Sequence, residues 1–105
     1  MGEIDWTKDA VQIERLIRGL NPWPSAYSYL KGKTVKIWDA EVREGVSSGN
    51  PGQITVTKEE LLVETGKGFL AIRELQLEGK KRMDTAAFLR GFAVEDQSSF
   101  GVQIQ

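Results

Sequence analysis

The fold is decided by one stretch of the chain, Thr34-Val35-Lys36-Ile37-Trp38-Asp39-Ala40-Glu41-Val42-Arg43. Its residue types favour a β-strand, in which successive side chains point to opposite faces of a sheet. Val35 and Ile37 occupy one phase of this alternation. The apolar residues that follow, Trp38, Ala40 and Val42, begin the other phase, so the inward face changes near Trp38. A β-bulge or a sharp coil of the strand produces such a change.

A second long strand, predicted over Phe69 to Glu78, repeats this change of phase. Leu70 and Ile72 lie in one phase, whereas Leu75 and Leu77 lie in the other. Two such changes are not expected in a flat sheet, but they are expected in a small coiled barrel, whose strands bend around its core. The sequence therefore predicts a mainly β fold with flanking helices, built as a small open β-barrel of the oligonucleotide-binding type.

Shorter strands complete the predicted barrel. They are expected around Tyr27 to Leu30, Gln53 to Thr57 and Leu61 to Thr65, because these runs are apolar and are bounded by turn residues. Gly66-Lys67-Gly68 has the composition of a hairpin turn.

An amphipathic helix is predicted before the first strand, over about Lys8 to Leu20, where apolar residues recur at helical spacing. Thr7 suits its N-cap, and Trp6 with Val11 suits a hydrophobic staple. The helix is expected to stop at Asn21-Pro22-Trp23-Pro24, because a proline cannot continue a helix.

A short closing helix is predicted over about Thr85 to Arg90, with Asp84 as its N-cap and Gly91 as its stop. Residues 93–105 show no clear period, and they are predicted to form a flexible tail or linker. The folded domain is therefore expected over residues 5–92, which is enough chain for one modest core.

Composition excludes several kinds of active site. The chain has no histidine and no cysteine, which removes Ser/His and Cys/His catalysis and the usual zinc ligands. The densest carboxylates, Glu59 and Glu60, are adjacent in a predicted turn, where neighbouring side chains point apart and stay solvated. We therefore predict no catalytic, cofactor-binding or metal-binding residue in this chain.

Two short stretches are basic without an acidic neighbour, one with Lys31, Lys33 and Lys36 and one with Lys80, Lys81 and Arg82. The net charge is -1, so any binding of nucleic acid must come from local clusters of this kind. Arg73, where the last strand changes phase, is a further candidate contact to phosphate. The alternative is that all of these side chains are merely solvated surface charges.

The burial of the tryptophans bears on whether they could stack on nucleic-acid bases. Trp38 lies in an apolar phase and Trp23 lies at the helix–barrel junction. Both are predicted to pack in the interior rather than to stack on bases.

The sequence shows neither a membrane-spanning run nor a signal peptide, and a cytoplasmic setting is expected.

Three ordered segments carry a resemblance to a known family: Ile17 to Pro24, Val35 to Trp38, and Gly79 to Met83 followed by Phe88 to Gly91. In this order and spacing they resemble the formyl transferase C-terminal domain family, as found in methionyl-tRNA formyltransferases. The resemblance covers roughly Asp5 to Phe92.

The resemblance implies that catalysis and RNA binding belong to different domains of the parent enzyme. A parent enzyme of this kind moves a formyl group from 10-formyltetrahydrofolate to the methionine on initiator tRNA, using catalytic residues of a separate N-terminal domain. The present chain would be the accessory domain: monomeric, inactive alone and without a cofactor of its own, with the initiator tRNA and the catalytic domain as partners.

The family has a basic motif, and the resemblance implies that matching positions in this chain contact phosphates. The tRNA would be held through its backbone and its A-form shape. Lys80, Lys81 and Arg82 match that motif, Lys33 and Lys36 come next, and Arg73 is the weakest candidate.

Two alternatives stay open at this point. The chain could be the equivalent domain of another 10-formyltetrahydrofolate-dependent enzyme, a hydrolase or an amino-sugar formyltransferase, in which no RNA is bound. It could also act as a structural module that packs on the catalytic domain through the turn from Asn21 to Pro24.

Overall fold

The structure is a computed structural model of the 105-residue chain, and it describes residues 2–21, 23, 25–92, 94 and 99–101. Along the described chain the elements are α1 Ala10–Leu20, β1 Ala26–Leu30, β2 Lys33–Arg43, β3 Ile54–Val56, β4 Leu61–Glu64, β5 Phe69–Leu77, β6 Met83–Asp84 and α2 Thr85–Gly91. The strands form one antiparallel sheet in the order β1-β2-β5-β4-β3, and β6 pairs with β5. This architecture confirms the predicted mainly β, open barrel-like fold with flanking helices.

Helix α1 begins later than predicted, and its N-cap is Asp9. The Asp9 carboxylate accepts a hydrogen bond from the Gln12 backbone N–H at 2.8 Å, and the Gln12 side chain accepts one from the Asp9 N–H at 3.2 Å. These two bonds form a capping box. Thr7 is not the cap, because its N–H and hydroxyl both donate to the Asp5 carboxylate.

The predicted staple between Trp6 and Val11 is also wrong. Trp6 is buried, its Nε1–H donates to Ser28 Oγ at 2.9 Å, and its ring stacks on Phe100 with 5.5 Å between centroids. Val11 is exposed on α1. Trp6 therefore belongs to the barrel core and not to the entry of the helix.

The buried face of α1 packs mainly on β2, through Ile13 and Ile17. The helix ends as predicted at Asn21, whose backbone is extended with φ -82° and ψ 142°, as expected of a residue before proline. The predicted turn at Pro22 and Pro24 lies outside the described residues. Trp23 is 83% exposed, so the prediction that it plugs the helix–barrel junction is wrong.

Helix α2 closes one end of the barrel and is capped as predicted. The Asp84 carboxylate accepts from the Ala87 N–H at 2.8 Å, which satisfies one of the free N–H groups of the first turn. Thr85 and Phe88 are buried, and the Thr85 hydroxyl donates to the backbone oxygen of Ile72 in β5. The closing helix is thus tied directly to the central strand.

Strands β1 and β3 are the two edges of the sheet, and residues 99–101 lie between them. The Gly101 N–H donates to Tyr29 O of β1 at 2.8 Å, and the Phe100 N–H donates to Gly52 O, just before β3, at 2.8 Å. Gln53 and Ser99 form an antiparallel bridge. This short segment therefore ties together two edges that have no direct ladder in the described part of the chain.

The flexible tail predicted for residues 93–105 needs correction at residues 99–101. Phe100 is 3% exposed and is part of the hydrophobic core. The rest of that prediction, at residues 93, 95–98 and 102–105, lies outside the described residues. At the other end, Ile4 is also buried and its N–H donates to Tyr27 O, so packed structure extends beyond both ends of the predicted 5–92 domain.

Candidate nucleic-acid interface

The bulge predicted in β2 is present and controls what the outer face of the sheet displays. Ile37 pairs with Leu75 and Asp39 pairs with Glu74, so Trp38 has no partner on β5. An unpaired extra residue is the mark of a β-bulge. The register returns to its earlier offset at the next pair, where β5 in turn leaves Arg73 unpaired.

The bulge lets three apolar residues of β2, Val35, Ile37 and Ala40, all face the core. Lys36 is exposed on the opposite face, and Trp38 is only half-buried. The prediction that Trp38 belongs to the core is therefore wrong. Tertiary pairing turned this residue outward, although its position in an apolar phase favoured burial.

Trp38 and Gln76 form a polar contact on the outer face of β2 and β5. Trp38 Nε1–H donates to Gln76 Oε1 at 3.1 Å. Gln76 Nε2 in turn donates to the backbone oxygen of Lys80 at 3.0 Å. Lys36 is the direct cross-strand neighbour of Gln76. The strand lysine is thus brought next to the turn that carries the second basic stretch.

Arg82 is held against the same tryptophan. Its guanidinium carbon lies 4.6 Å from the centroid of the Trp38 ring, and one guanidinium nitrogen lies 2.8 Å from Glu74 Oε1. A cation over an indole face is attracted by the ring quadrupole. Arg82 therefore has one face covered and part of its charge offset, although about half of its side chain remains exposed.

Lysines supply the uncompensated charge of this region. Lys36, Lys80 and Lys81 are exposed, and no carboxylate of the described residues lies within 4.0 Å of their ammonium groups. We define the basic patch as Lys36, Trp38 and Gln76 of the sheet together with Lys80, Lys81 and Arg82 of the segment after β5. Its exposed ammonium groups make this part of the surface attractive to anions.

In the described part of the chain, no hydrogen bond or ion pair joins Lys33 or Arg73, both predicted as phosphate contacts, to this patch. Lys33 stands two positions before the inward-facing Val35, so strand alternation directs it to the face opposite Lys36. Arg73 forms an ion pair with Glu41 at 3.6 Å. These two positions stay predictions, and the structure gives them different surroundings from Lys80, Lys81 and Arg82.

Arg73 opens onto a groove of about 620 Å³ whose charged lining is mostly acidic. The charged residues of this groove are Asp39, Glu59, Glu60, Glu74 and Asp84, with Arg43 and Arg73. Arg43 pairs with Glu60 at 2.6 Å, and its hydrogen bonds to Glu60 and Glu41 raise the pKa of its guanidinium. Carboxylates repel a phosphate backbone. The surface near β5 therefore has an acidic part, at this groove, and a basic part, at the patch.

Glu64 is a buried carboxylate outside the patch. It is 3% exposed and accepts hydrogen bonds from the Ser48 hydroxyl and from the N–H groups of Ser48 and Asn50, at 2.7 to 2.9 Å. Burial alone would raise the pKa of Glu64, but the hydrogen bonds from Ser48, Asn50 and Gly49 outweigh it and lower this pKa. Glu64 therefore stays ionised and organises the loop that leads into β3.

Among the described residues, no three Asp or Glu side chains cluster in a way that could hold a metal ion. Glu60, one of the adjacent carboxylates singled out in the sequence, is engaged by Arg43. No helix of the described part is long and apolar enough to span a membrane.

Sequence reasoning missed Gln76, which belongs to the basic patch, and Glu74, which pairs with Arg82 beside it. Both lie in β5 in the phase opposite the buried Leu75 and Leu77, which the alternation of the strand could have revealed. Their partners, however, come from β2 and from beyond the strand. Only the strand pairing makes these contacts visible.

A small open antiparallel barrel with exposed basic residues on β2 and in the turn after β5 is thus the class of domain that the geometry defines. The sequence pattern of "Formyl transferase, C-terminal domain" matches residues 1–93. The chain belongs to the formyl transferase C-terminal domain family, which confirms the resemblance drawn from the three sequence segments.

Curated relatives agree with this family. The chain is 59% identical over 101 residues to a methionyl-tRNA formyltransferase of Agathobacter rectalis, with 95% of this chain and 33% of that protein covered. It is 51% identical over 100 residues to one of Lachnospira eligens, with 90% and 32% covered, and 46% identical over 101 residues to one of Geobacter sulfurreducens, with 95% and 31% covered. The chain therefore spans about a third of the length of these relatives.

Solved structures extend the likeness in fold. A variant of HypX from Aquifex aeolicus gives a TM-score of 0.69 at 23% identity, with 90% of this chain and 18% of that chain covered. HypX in complex with tetrahydrofolic acid gives 0.67 at 21% identity, with 97% and 20% covered. At these identities the likeness concerns the fold alone.

Proposed function

We propose that this chain is the accessory domain of a cytoplasmic methionyl-tRNA formyltransferase and that it holds the initiator tRNA. In this proposal a catalytic domain outside the chain takes the formyl group from 10-formyltetrahydrofolate, and the chain alone has neither activity nor cofactor. The relatives named as methionyl-tRNA formyltransferases at up to 59% identity support the choice of enzyme.

The single observation that supports the RNA-binding role is a set of three exposed lysines, Lys36, Lys80 and Lys81, that have no carboxylate partner among the described residues and that Gln76 links through Lys36 and the Lys80 backbone. Ammonium groups of this kind displace counterions from a phosphate backbone, and they do so without reading bases. Structured tRNA presents such a backbone in a fixed A-form shape. The acidic groove beside Arg73 borders the patch at Glu74, and its carboxylates would repel a phosphate backbone there.

The test is a titration of labelled initiator tRNA with the chain at several salt concentrations. The variant Lys36→Ala/Lys80→Ala/Lys81→Ala should bind more weakly and should lose about two to three units of salt slope, since each phosphate contact contributes roughly 0.7 to 0.9. The matched control is Lys8→Ala/Lys58→Ala/Lys67→Ala, which removes the same charge from three exposed lysines outside the patch.

An equal loss of slope in both triple variants would show that the net charge acts and not the patch. If the unmodified chain does not bind tRNA even at low salt, the RNA-binding role is refuted for this chain. A structural role toward the catalytic domain would then be favoured by Trp23, a large apolar side chain exposed over 83% of its surface.

A further inference from the structure

The turn between β5 and β6 carries the two lysines at the centre of the patch, and a turn without support would hold them loosely. Within the turn, the Lys80 N–H donates to Leu77 O at 2.9 Å, and Gly79 has a positive φ of 78°. From outside the turn, the Glu78 N–H donates to Thr34 O of β2 at 2.9 Å, the Glu78 carboxylate accepts from the Thr34 N–H, and Gln76 Nε2 donates to Lys80 O at 3.0 Å. The bond from Gln76 fixes the backbone from which the lysine side chains project.

Gln76 can make this contact because an amide has an acceptor at one end and a donor at the other. Its Oε1 accepts from Trp38 Nε1–H at 3.1 Å, so its Nε2 is directed at the turn. A carboxylate at this position would only accept, and a thioether would neither accept strongly nor donate. The indole N–H thus determines the orientation of the amide.

Trp38 is itself fixed through its backbone. Asn21, at the end of α1, donates its Nδ2–H to the backbone oxygen of Trp38 at 2.6 Å, where the bulge leaves that residue unpaired. The edge of the Trp38 ring orients Gln76, and its face carries Arg82 at 4.6 Å. One bulged residue therefore holds both ends of the basic stretch, through Gln76 at Lys80 and directly at Arg82.

We propose that Trp38 and Gln76 are positioning residues that pre-organise the turn bearing Lys80 and Lys81 for a phosphate backbone. Neither residue carries a charge, and neither is assigned as an RNA contact. They act by reducing the freedom that the lysine-bearing turn would otherwise lose on binding. This inference rests on the proposed function, because the ligand that benefits is the RNA backbone.

The test uses Gln76→Met, which removes both amide hydrogen bonds and keeps the size and the net charge of the residue. Titrated with labelled initiator tRNA at low salt, this variant should bind roughly 3- to 10-fold more weakly, the range set by loss of one or two modest hydrogen bonds. Its salt slope should fall by about one unit, because one lysine contact is no longer held in place. The matched control is Gln53→Met, at a half-buried glutamine outside the patch.

Two readouts separate positioning from a general loss of structure. Backbone ¹⁵N order parameters at Lys80 and Lys81 should fall in Gln76→Met, while the midpoint of urea unfolding stays close to that of Gln53→Met. Trp38→Phe, which keeps a ring beneath Arg82 but loses the indole N–H, should weaken binding to a similar degree as Gln76→Met. Agreement of the two variants would assign the effect to the N–H···O contact.

Binding by the unmodified chain with unchanged affinity and salt slope in Gln76→Met would overturn this inference and leave the proposed function intact. Unchanged order parameters at the turn would overturn it as well. Absence of binding by the unmodified chain would overturn both the proposed function and the inference.

Discussion

Replacing Phe100 by alanine should destabilise the whole domain, although this residue lies beyond the segment that matches the family pattern. Phe100 is 3% exposed and stacks on the buried Trp6 at 5.5 Å. Truncation of a buried phenylalanine costs about 3 to 5 kcal/mol, because apolar contacts are lost and a cavity remains. A domain of 105 residues has a total stability of about 5 to 15 kcal/mol, so Phe100→Ala should remove a large part of it.

The measurement is urea unfolding followed by circular dichroism, with thermal unfolding in parallel. A loss of about 3 kcal/mol corresponds to a decrease of roughly 12 to 24 °C in Tm for a domain of this size. Val46→Ala is the control, because Val46 is 91% exposed and should change the free energy of unfolding by less than about 0.5 kcal/mol. Equal stability of Phe100→Ala and Val46→Ala would refute the placement of residues 99–101 in the core.

Two further predictions concern the loop before β3 and the exposed tryptophan. The lowered pKa of Glu64 means that its contribution to stability is complete above its ordinary value of 4.5 and is lost as the pH falls through the lowered folded value. Urea unfolding at stepped pH should therefore show a smaller acid loss in Glu64→Gln than in the unmodified chain, and identical pH profiles would contradict the hydrogen-bonded carboxylate at Ser48. Trp23→Ala should leave the free energy of unfolding within about 0.5 kcal/mol, measured by the same method, since Trp23 is 83% exposed; a loss above about 2 kcal/mol would restore its role as a packed plug.

The sequence by itself determined the elements whose signals are local. The change of phase at Trp38 predicted the bulge of β2, because side-chain alternation along a strand is a property of neighbouring residues. Asp84 predicted the start of α2 in the same way, since a cap contacts N–H groups only a few residues away. The cap of α1 was misplaced at Thr7 because two competing acceptors, Asp5 and Asp9, stand on either side of it.

Only the tertiary structure decided which of these elements meet. The burial of Phe100 depends on the two sheet edges that its segment joins, and a segment this short has no period to show it. The register between β2 and β5 placed Lys36 beside Gln76 and left Arg73 near Glu41. The local sequence determines the charge of each side chain and its place in the strand alternation. Pairing between distant strands determines which residues it contacts. Those neighbours decide whether a basic residue is free to meet a phosphate.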